Sequence, residues 1–221
     1  MIEIYEVKER VTADNNKAAA RTREILKEKN IFFVNLMASP GAGKTTLLTR
    51  TIESLKDTYR IGVMEADVDS YVDAQTIEKL GVKVIQLHSG GLCHMDADMT
   101  YRGLEKLGMD NLDLIFLEDI GNLVCPAEFD VGAQMKVMIL SVPEGDDKPL
   151  KYPLMFEVSD VILVNKIDTL PVFDFDKNRF KDNVASRNPD APIIYISALS
   201  SDGIDEWINL LKNRIEQWRN S

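Results

Sequence analysis

Polar and apolar positions follow two rhythms along this chain. Short, nearly continuous apolar runs recur, and most lead into a longer stretch whose apolar residues return every three or four positions. The runs predict strands at Ile31–Met37, Arg60–Ala66, Lys83–Leu87, Leu112–Leu117, Met135–Val142, Val161–Asn165 and Pro192–Ile196. The periodic stretches predict helices over Lys44–Lys56, Tyr71–Leu80, Ala97–Leu107, Phe175–Arg187 and Gly203–Trp218. An amphipathic helix over Thr12–Asn30 precedes them, with Asn15 or Asn16 placed to cap its start and Ala18–Ala20 favouring helix. It is expected to pack outside the sheet. Strands alternating with helices imply βαβ units and a mostly parallel central sheet of about seven strands. Leu114–Leu117 and Val161–Val164 are apolar throughout, as strands covered on both faces must be. Residues 143–153 read as the clearest loop, long enough to be functional. The expected organisation is an N-terminal extension with a helix over 1–30 and one α/β domain over 31–221.

The junction between the first strand and its helix changes the picture from fold to chemistry. Ala38-Ser39-Pro40-Gly41-Ala42-Gly43-Lys44-Thr45 stands where strand, glycine-rich loop and helix meet, the context of a phosphate-binding P-loop. Gly41, Ala42 and Gly43 let backbone N–H groups turn toward an anion, and Thr46 continues that run into the helix. Lys44 adds positive charge at the β- and γ-phosphates, the Thr45 hydroxyl suits Mg²⁺, and the helix start adds partial positive charge. Ala38 replaces the usual first glycine. The expected fold class is therefore a three-layer α/β P-loop NTPase with an extra N-terminal helix.

A second motif speaks to the base. Asn165-Lys166-Ile167-Asp168 follows the buried run Val161–Val164 and matches the N-K-x-D pattern of guanine-specific proteins. A carboxylate at Asp168 accepts from both N1–H and the 2-amino group of guanine, a donor pair that adenine lacks. Lys166 can lay its stem over the base, and Asn165 can tie this loop to the P-loop. Ser197-Ala198-Leu199 follows the last strand, where the Ala198 N–H would meet guanine O6. The ordered set, each member at a strand end, points to GTP and GDP.

Acidic residues close two more strands. Glu118-Asp119-Ile120-Gly121 reads as E-x-x-G, with Glu118 the expected Mg²⁺ organiser, Asp119 a competing carboxylate, and Gly121 presenting its N–H to the γ-phosphate. Glu65-Ala66-Asp67-Val68-Asp69, with Asp73 beyond, ends another strand; Asp67 is the first candidate for a Mg²⁺ or water contact and Asp73 the second. The catalytic set read from the sequence is thus Lys44, Thr45, Asp67, Glu118 and Gly121.

Composition narrows the setting. The chain has 221 residues, 45% of them apolar, and a net charge of −10, with a pI of about 4.8. An acidic chain without a basic stripe argues against nucleic acid as the main partner. No apolar run approaches the ~18–20 residues of a membrane span, and the first residues lack the basic and apolar regions of a signal peptide. Two cysteines, Cys93 and Cys125, are too few for a disulfide scaffold, so a reducing cytoplasm is expected. Both cysteines are expected in loops past strand ends. Cys93, His94 and Cys125 form a thiolate and imidazole set suited to Zn²⁺ or Ni²⁺, or are two ordinary apolar thiols. His88 is read as a nearby loop residue outside that set.

Glu118 through Pro126 resembles the E-N-x-G-N-L-V-C-P segment of the HypB family, the nickel-insertion GTPases that mature [NiFe]-hydrogenase. Gly91–Ala97 is similar to the family's C-H-L-D-A segment, Asp147–Pro153 to its D-K-P-L-K-Y-P loop, and Asp67–Ala74 to its D-x-x-T-x-x-D-A segment. Ala38 and Ala66 stand where glycine is usual, Asp119 where asparagine is, and Ser70 where threonine is. The resemblance implies a GTP-hydrolysing metallochaperone of the SIMIBI class of P-loop proteins, with slow intrinsic turnover. It implies metal at Cys93, His94 and Cys125, a GTP-dependent homodimer, and partners among other nickel-insertion accessory proteins and the hydrogenase large-subunit precursor. Lys148 is expected to reach the nucleotide of a second copy. The family's N-terminal cysteine-rich or histidine-rich nickel tract is not expected. A urease accessory GTPase is the nearest alternative, disfavoured because Ala127 follows Cys125-Pro126 where its C-P-H motif has histidine. A cobalamin-enzyme chaperone GTPase lacks the metal role. A ParA/MinD-like ATPase is disfavoured by Ser39 and by Asn165–Asp168.

Overall fold

The computed structural model describes residues 7–67 and 72–221; residues 68–71, which include Asp69 of the acidic run, the Ser70 departure and the expected helix start at Tyr71, lie outside the described residues. In chain order the elements are α1 (Val7–Glu28), β1 (Phe32–Ala38), α2 (Lys44–Leu55), β2 (Ile61–Asp67), α3 (Val72–Glu78), β3 (Lys83–His88), α4 (Ala97–Leu107), β4 (Leu114–Glu118) and α5 (Cys125–Glu128). They continue with β5 (Met135–Ser141), α6 (Lys148–Lys151), α7 (Pro153–Glu157), β6 (Val161–Asn165), α8 (Lys177–Ala185), β7 (Ile193–Tyr195) and α9 (Ile204–Arg219).

The seven strands form one sheet in the order β3-β2-β4-β1-β5-β6-β7. Every neighbouring pair is parallel. Alternate strand residues face opposite layers. Phe32, Val34, Val63, Leu114 and Phe116 pack with Leu48 and Ile52 of α2 and Trp207 and Leu211 of α9. Phe33, Met64, Ile115 and Leu117 face the other way, against Leu26 of α1 and Leu104 and Leu107 of α4. Met138, Leu140, Ile162 and Val164 extend that second layer against Met155, Phe156 and Phe180. The buried Trp207 indole donates to the Thr51 hydroxyl at 2.9 Å, fixing α9 on α2. The result is the expected α/β/α sandwich, with strand ends within one or two residues of the sequence reading.

Three local expectations are corrected. Neither Asn15 nor Asn16 caps α1, which already runs from Val7; Asn15 lies mid-helix and is buried. Residues 143–153 are not an open loop. They hold a 3₁₀ turn at Val142–Glu144 and the helices α6 and α7, with Pro143 and Pro149 second in the first two and Pro153 first in the last. Proline suits the first turn of a helix, because its missing N–H would have no partner there. His88 is not in a loop but closes β3, in register with Asp67.

The sheet topology sets where chemistry can occur. β1 lies between β4 and β5, and later strands depart on either side of it. The carboxyl ends of β1, β2, β4, β5 and β6 therefore open onto one crevice, where ligands collect in parallel α/β sheets.

Candidate functional site

The P-loop leaves β1 and enters α2. Gly41 and Gly43 both take positive φ, 75° and 95°, which glycine adopts at no steric cost. At Gly43 a side chain is also excluded by space, since a Cβ there would come within 2.5 Å of the Asn165 amide nitrogen. Ser39 bonds the Glu144 carboxylate. That carboxylate also accepts from the Ser141 N–H and hydroxyl at 2.7 Å, anchoring the loop to the end of β5.

Asn165 joins the loop after β6 to the P-loop and to the loop after β7. It is buried, donates to Ala42 O at 2.9 Å, and accepts from the Ala198 N–H at 3.0 Å and the Lys166 N–H at 2.8 Å. Lys166 holds φ 62° and donates from Nζ to Gly41 O at 2.7 Å. Asp168 accepts from the Ser197 hydroxyl at 2.6 Å, which fixes the carboxylate's orientation. The sequence-read set Asn165, Lys166, Asp168, Ser197 and Ala198 is thus gathered around the P-loop. Leu199 is largely exposed beside it.

A cleft of about 600 Å³ opens over the P-loop, lined by Gly41, Gly43, Lys44, Thr45 and Thr46, by Glu65, Asp67 and Asp73, and by Glu118 and Gly121. A Cβ on Gly121 would meet Pro40 N at 3.0 Å, so β4's outgoing loop rests directly on the P-loop. The Thr45 hydroxyl donates to Glu118 Oε1 at 2.8 Å. Asp119, the competing carboxylate, also lines this cleft, and its oxygens accept from the Asn35 amide at 3.2 Å and the Ile120 N–H at 2.8 Å. Burial nonetheless raises its carboxyl to about 6.

Glu65 was not singled out by the motifs. It lies opposite Glu118 in the β2–β4 register, and both are buried. Burial pushes Glu65 up to about 10, reinforced by the charge of Glu118. Burial also lifts Glu118 to about 7, while Lys44 and the Thr45 hydroxyl hold it down. Among the described residues, Glu65 Oε1 and Glu118 Oε2 have no hydrogen-bond partner. Two buried, unpartnered carboxylate oxygens beside a P-loop threonine fit a hard divalent cation such as Mg²⁺.

A second cluster forms where the loops after β3 and β4 meet. The Cys93 and Cys125 sulfurs are 2.8 Å apart as free thiols, and His94 Nδ1 lies 3.8 Å from Cys93. The ligand atoms of Cys93, His94 and Cys125 all fall within 4.8 Å of one another. Cys93 is in a loop, as expected, whereas Cys125 opens α5. The His94 ring stacks on Phe129, with centroids 3.9 Å apart. Burial lowers the His94 pKa against the nearby carboxylates Asp96 and Glu128, which favours the neutral, ligating imidazole. The hydrogen bond with Cys93, then burial, raises Cys125. Soft sulfur and imidazole donors suit Zn²⁺ or Ni²⁺. Lys148 opens α6 with its ammonium over the Tyr152 ring at 5.2 Å and does not line the cleft of its own chain.

Known proteins resemble this chain in sequence and in fold. Residues 32–195 match the family model described as CobW/HypB/UreG, nucleotide-binding domain. The hydrogenase maturation factor HypB of Escherichia coli is 43% identical over 211 residues, covering 96% of this chain and 73% of that protein. The crystal structure of the hydrogenase maturation factor HypB from Archaeoglobus fulgidus superposes with a TM-score of 0.85 at 37% identity, covering 92% of this chain and 99% of that one. HypB from Helicobacter pylori, solved in complex with nickel, superposes at 0.86 with 35% identity, covering 92% and 96%. The chain belongs to the CobW/HypB/UreG family and, within it, to the HypB hydrogenase maturation factors.

Proposed function

We propose that this protein is a GTP-hydrolysing metallochaperone that delivers nickel during [NiFe]-hydrogenase maturation, working in a reducing cytoplasm. One observation carries the reading most directly: the compact set Cys93, His94 and Cys125 lies on loops of which one begins at Gly121, packed on the P-loop. A loop that touches both a phosphate site and a soft-ligand cluster can pass the nucleotide state to the metal.

In this reading Asp168 selects guanine, while the amides of Gly41 to Thr46 and the Lys44 ammonium cradle the phosphates. Thr45, Asp67 and Glu118 hold Mg²⁺, which when bound neutralises charge on the β- and γ-phosphates. Lys44 stabilises the charge that grows as water attacks the γ-phosphate. Gly121 presents its N–H to that phosphate and relaxes when it leaves. Nickel is the cargo. Its clients are other nickel-insertion accessory proteins and the hydrogenase large-subunit precursor.

The direct test is metal content beside nucleotide binding. The Cys93→Ala, Cys125→Ala double variant is expected to lose stoichiometric Ni²⁺ and Zn²⁺ while binding GDP within about twofold of the parent. Full metal stoichiometry in that variant removes the metal site from the proposal.

A further inference from the structure

The two segments that bring the metal ligands together are themselves joined by α1. Asn15 is buried in the middle of that helix and uses both ends of its amide. Its oxygen accepts from the Ala97 N–H at 2.9 Å, three residues past His94. Its nitrogen donates to the Asp130 carbonyl at 2.9 Å, five residues past Cys125.

The first of these bonds is a helix cap supplied from elsewhere in the fold. Ala97 is the first residue of α4, whose leading N–H groups have no partner within the helix. Asp96 satisfies the Met99 N–H at 2.7 Å, and Asn15 satisfies Ala97. The second bond belongs to a staple. Arg23, two turns further along α1, grips Asp130 with one guanidinium nitrogen within 2.5 Å of both carboxylate oxygens. Its Nε donates to Ala133 O at 3.1 Å. Between them Gly132, at φ 83°, lets the backbone close on α1, since a Cβ there would meet Thr22 Cβ at 2.8 Å. Phe129, directly before Asp130, carries the stacked His94 ring. Near the sulfurs Asn122, in the loop between β4 and α5, donates to Cys93 O at 3.1 Å.

We propose that Asn15 is a positioning residue of the metal site: α1 holds the loop after β3 and the segment after α5 at the separation that lets Cys93, His94 and Cys125 converge on one ion. The inference rests on the metal reading above. Whatever moves α1 then changes metal affinity without touching a ligand. A buried side-chain amide that bridges two backbones is suited to this, because losing either bond leaves a desolvated group unpaired.

The experiment is Ni²⁺ titration of the full chain, read by thiolate-to-nickel charge-transfer absorption, with mant-GDP affinity and helical circular dichroism alongside. Asn15→Ala is expected to weaken Ni²⁺ binding tenfold or more and to shift the charge-transfer band, with mant-GDP affinity within twofold. Asn15→Asp keeps an acceptor for Ala97 but loses the donor to Asp130, and is expected to fall between. Arg23→Gln, at a half-exposed position, loosens the same staple and should weaken Ni²⁺ in the same direction if Asn15→Ala does not fold. Wild-type Ni²⁺ affinity and spectrum in the folded variants overturn the inference while leaving the metal reading intact, even if their unfolding midpoints drop. A parent protein that binds no Ni²⁺, or binds it equally as Cys93→Ala, overturns both.

Discussion

At the scale of single residues, the base recognition proposed above would rest on a carboxylate that is already oriented. Asp168 is held by the Ser197 hydroxyl, and its loop is held by Asn165 against Ala42 of the P-loop. Exchange of Asp168 for asparagine places an amide N–H against the guanine donors. GTP affinity is expected to fall roughly ten- to a hundredfold, the ~1–3 kcal/mol scale of a bidentate base contact. Xanthosine triphosphate, whose C2 carbonyl accepts from that amide, should gain. Competition of both nucleotides against mant-GDP measures this, and an unchanged preference for GTP removes Asp168 from base reading. Asp168 stood out as a candidate in the sequence because its motif is four contiguous residues after a buried strand. Glu65, Glu144 and Asn15 did not. Glu65 matters through its neighbour Glu118 on β4, Glu144 through Ser39 more than a hundred residues away, and Asn15 through Ala97 and Asp130. Nothing local marks such residues, since an asparagine in an alanine-rich helix reads as a cap or a solvated side chain.

At the scale of elements, the strands were readable because a strand buried on both faces must be apolar along its whole length, as Val161–Val164 are. Strand order was not readable, because it depends on which strand the chain returns to after each helix. That order produces the pairing of Glu65 on β2 with Glu118 on β4 at one register position. Its consequence is a pH dependence whose sign can be worked out. Burial lifts the folded Glu118 carboxyl from 4.5 to about 7, so between those values the folded chain keeps a proton that the unfolded chain has released. Stability from this group is full below pH 4.5 and is lost as pH rises through about 7. In metal-free, nucleotide-free protein, the stability of the parent relative to Glu118→Gln is expected to fall steadily from pH 4.5 to 7. Urea titrations across that range give the difference, in which groups that do not interact with Glu118 cancel. A difference that does not change with pH means that Glu118 is not held protonated by the fold.

At the scale of the whole molecule, the proposed metal set is one ligand short among the described residues of one chain. Cys93, His94 and Cys125 supply three ligands where tetrahedral Zn²⁺ takes four. The residues beside the two sulfurs are apolar and exposed, Leu92 at 48% and Val124 at 51%, and Leu150 and Leu154 in α6 and α7 are exposed as well. Exposed apolar groups around an unsaturated ligand set favour a two-fold contact, which brings six ligands to one shared or two bridged ions. Lys148, on α6 and away from its own cleft, is then free to serve the nucleotide of the second copy. Because the loop from Gly121 to Cys125 joins the two sites, GTP is expected to strengthen the dimer over GDP. A tenfold difference requires only ~1.4 kcal/mol of differential binding. Metal should add to the effect of GTP, and Leu92→Asp with Val124→Asp should abolish assembly at nucleotide affinities within about twofold of the parent. Sedimentation equilibrium with GDP and with a non-hydrolysable GTP analogue, each with and without Ni²⁺, measures the four dimer constants. Four equal constants would mean that nucleotide and metal do not communicate through assembly, and coupling would then have to be sought within one chain, along the path from Pro40 through Gly121 to Cys125.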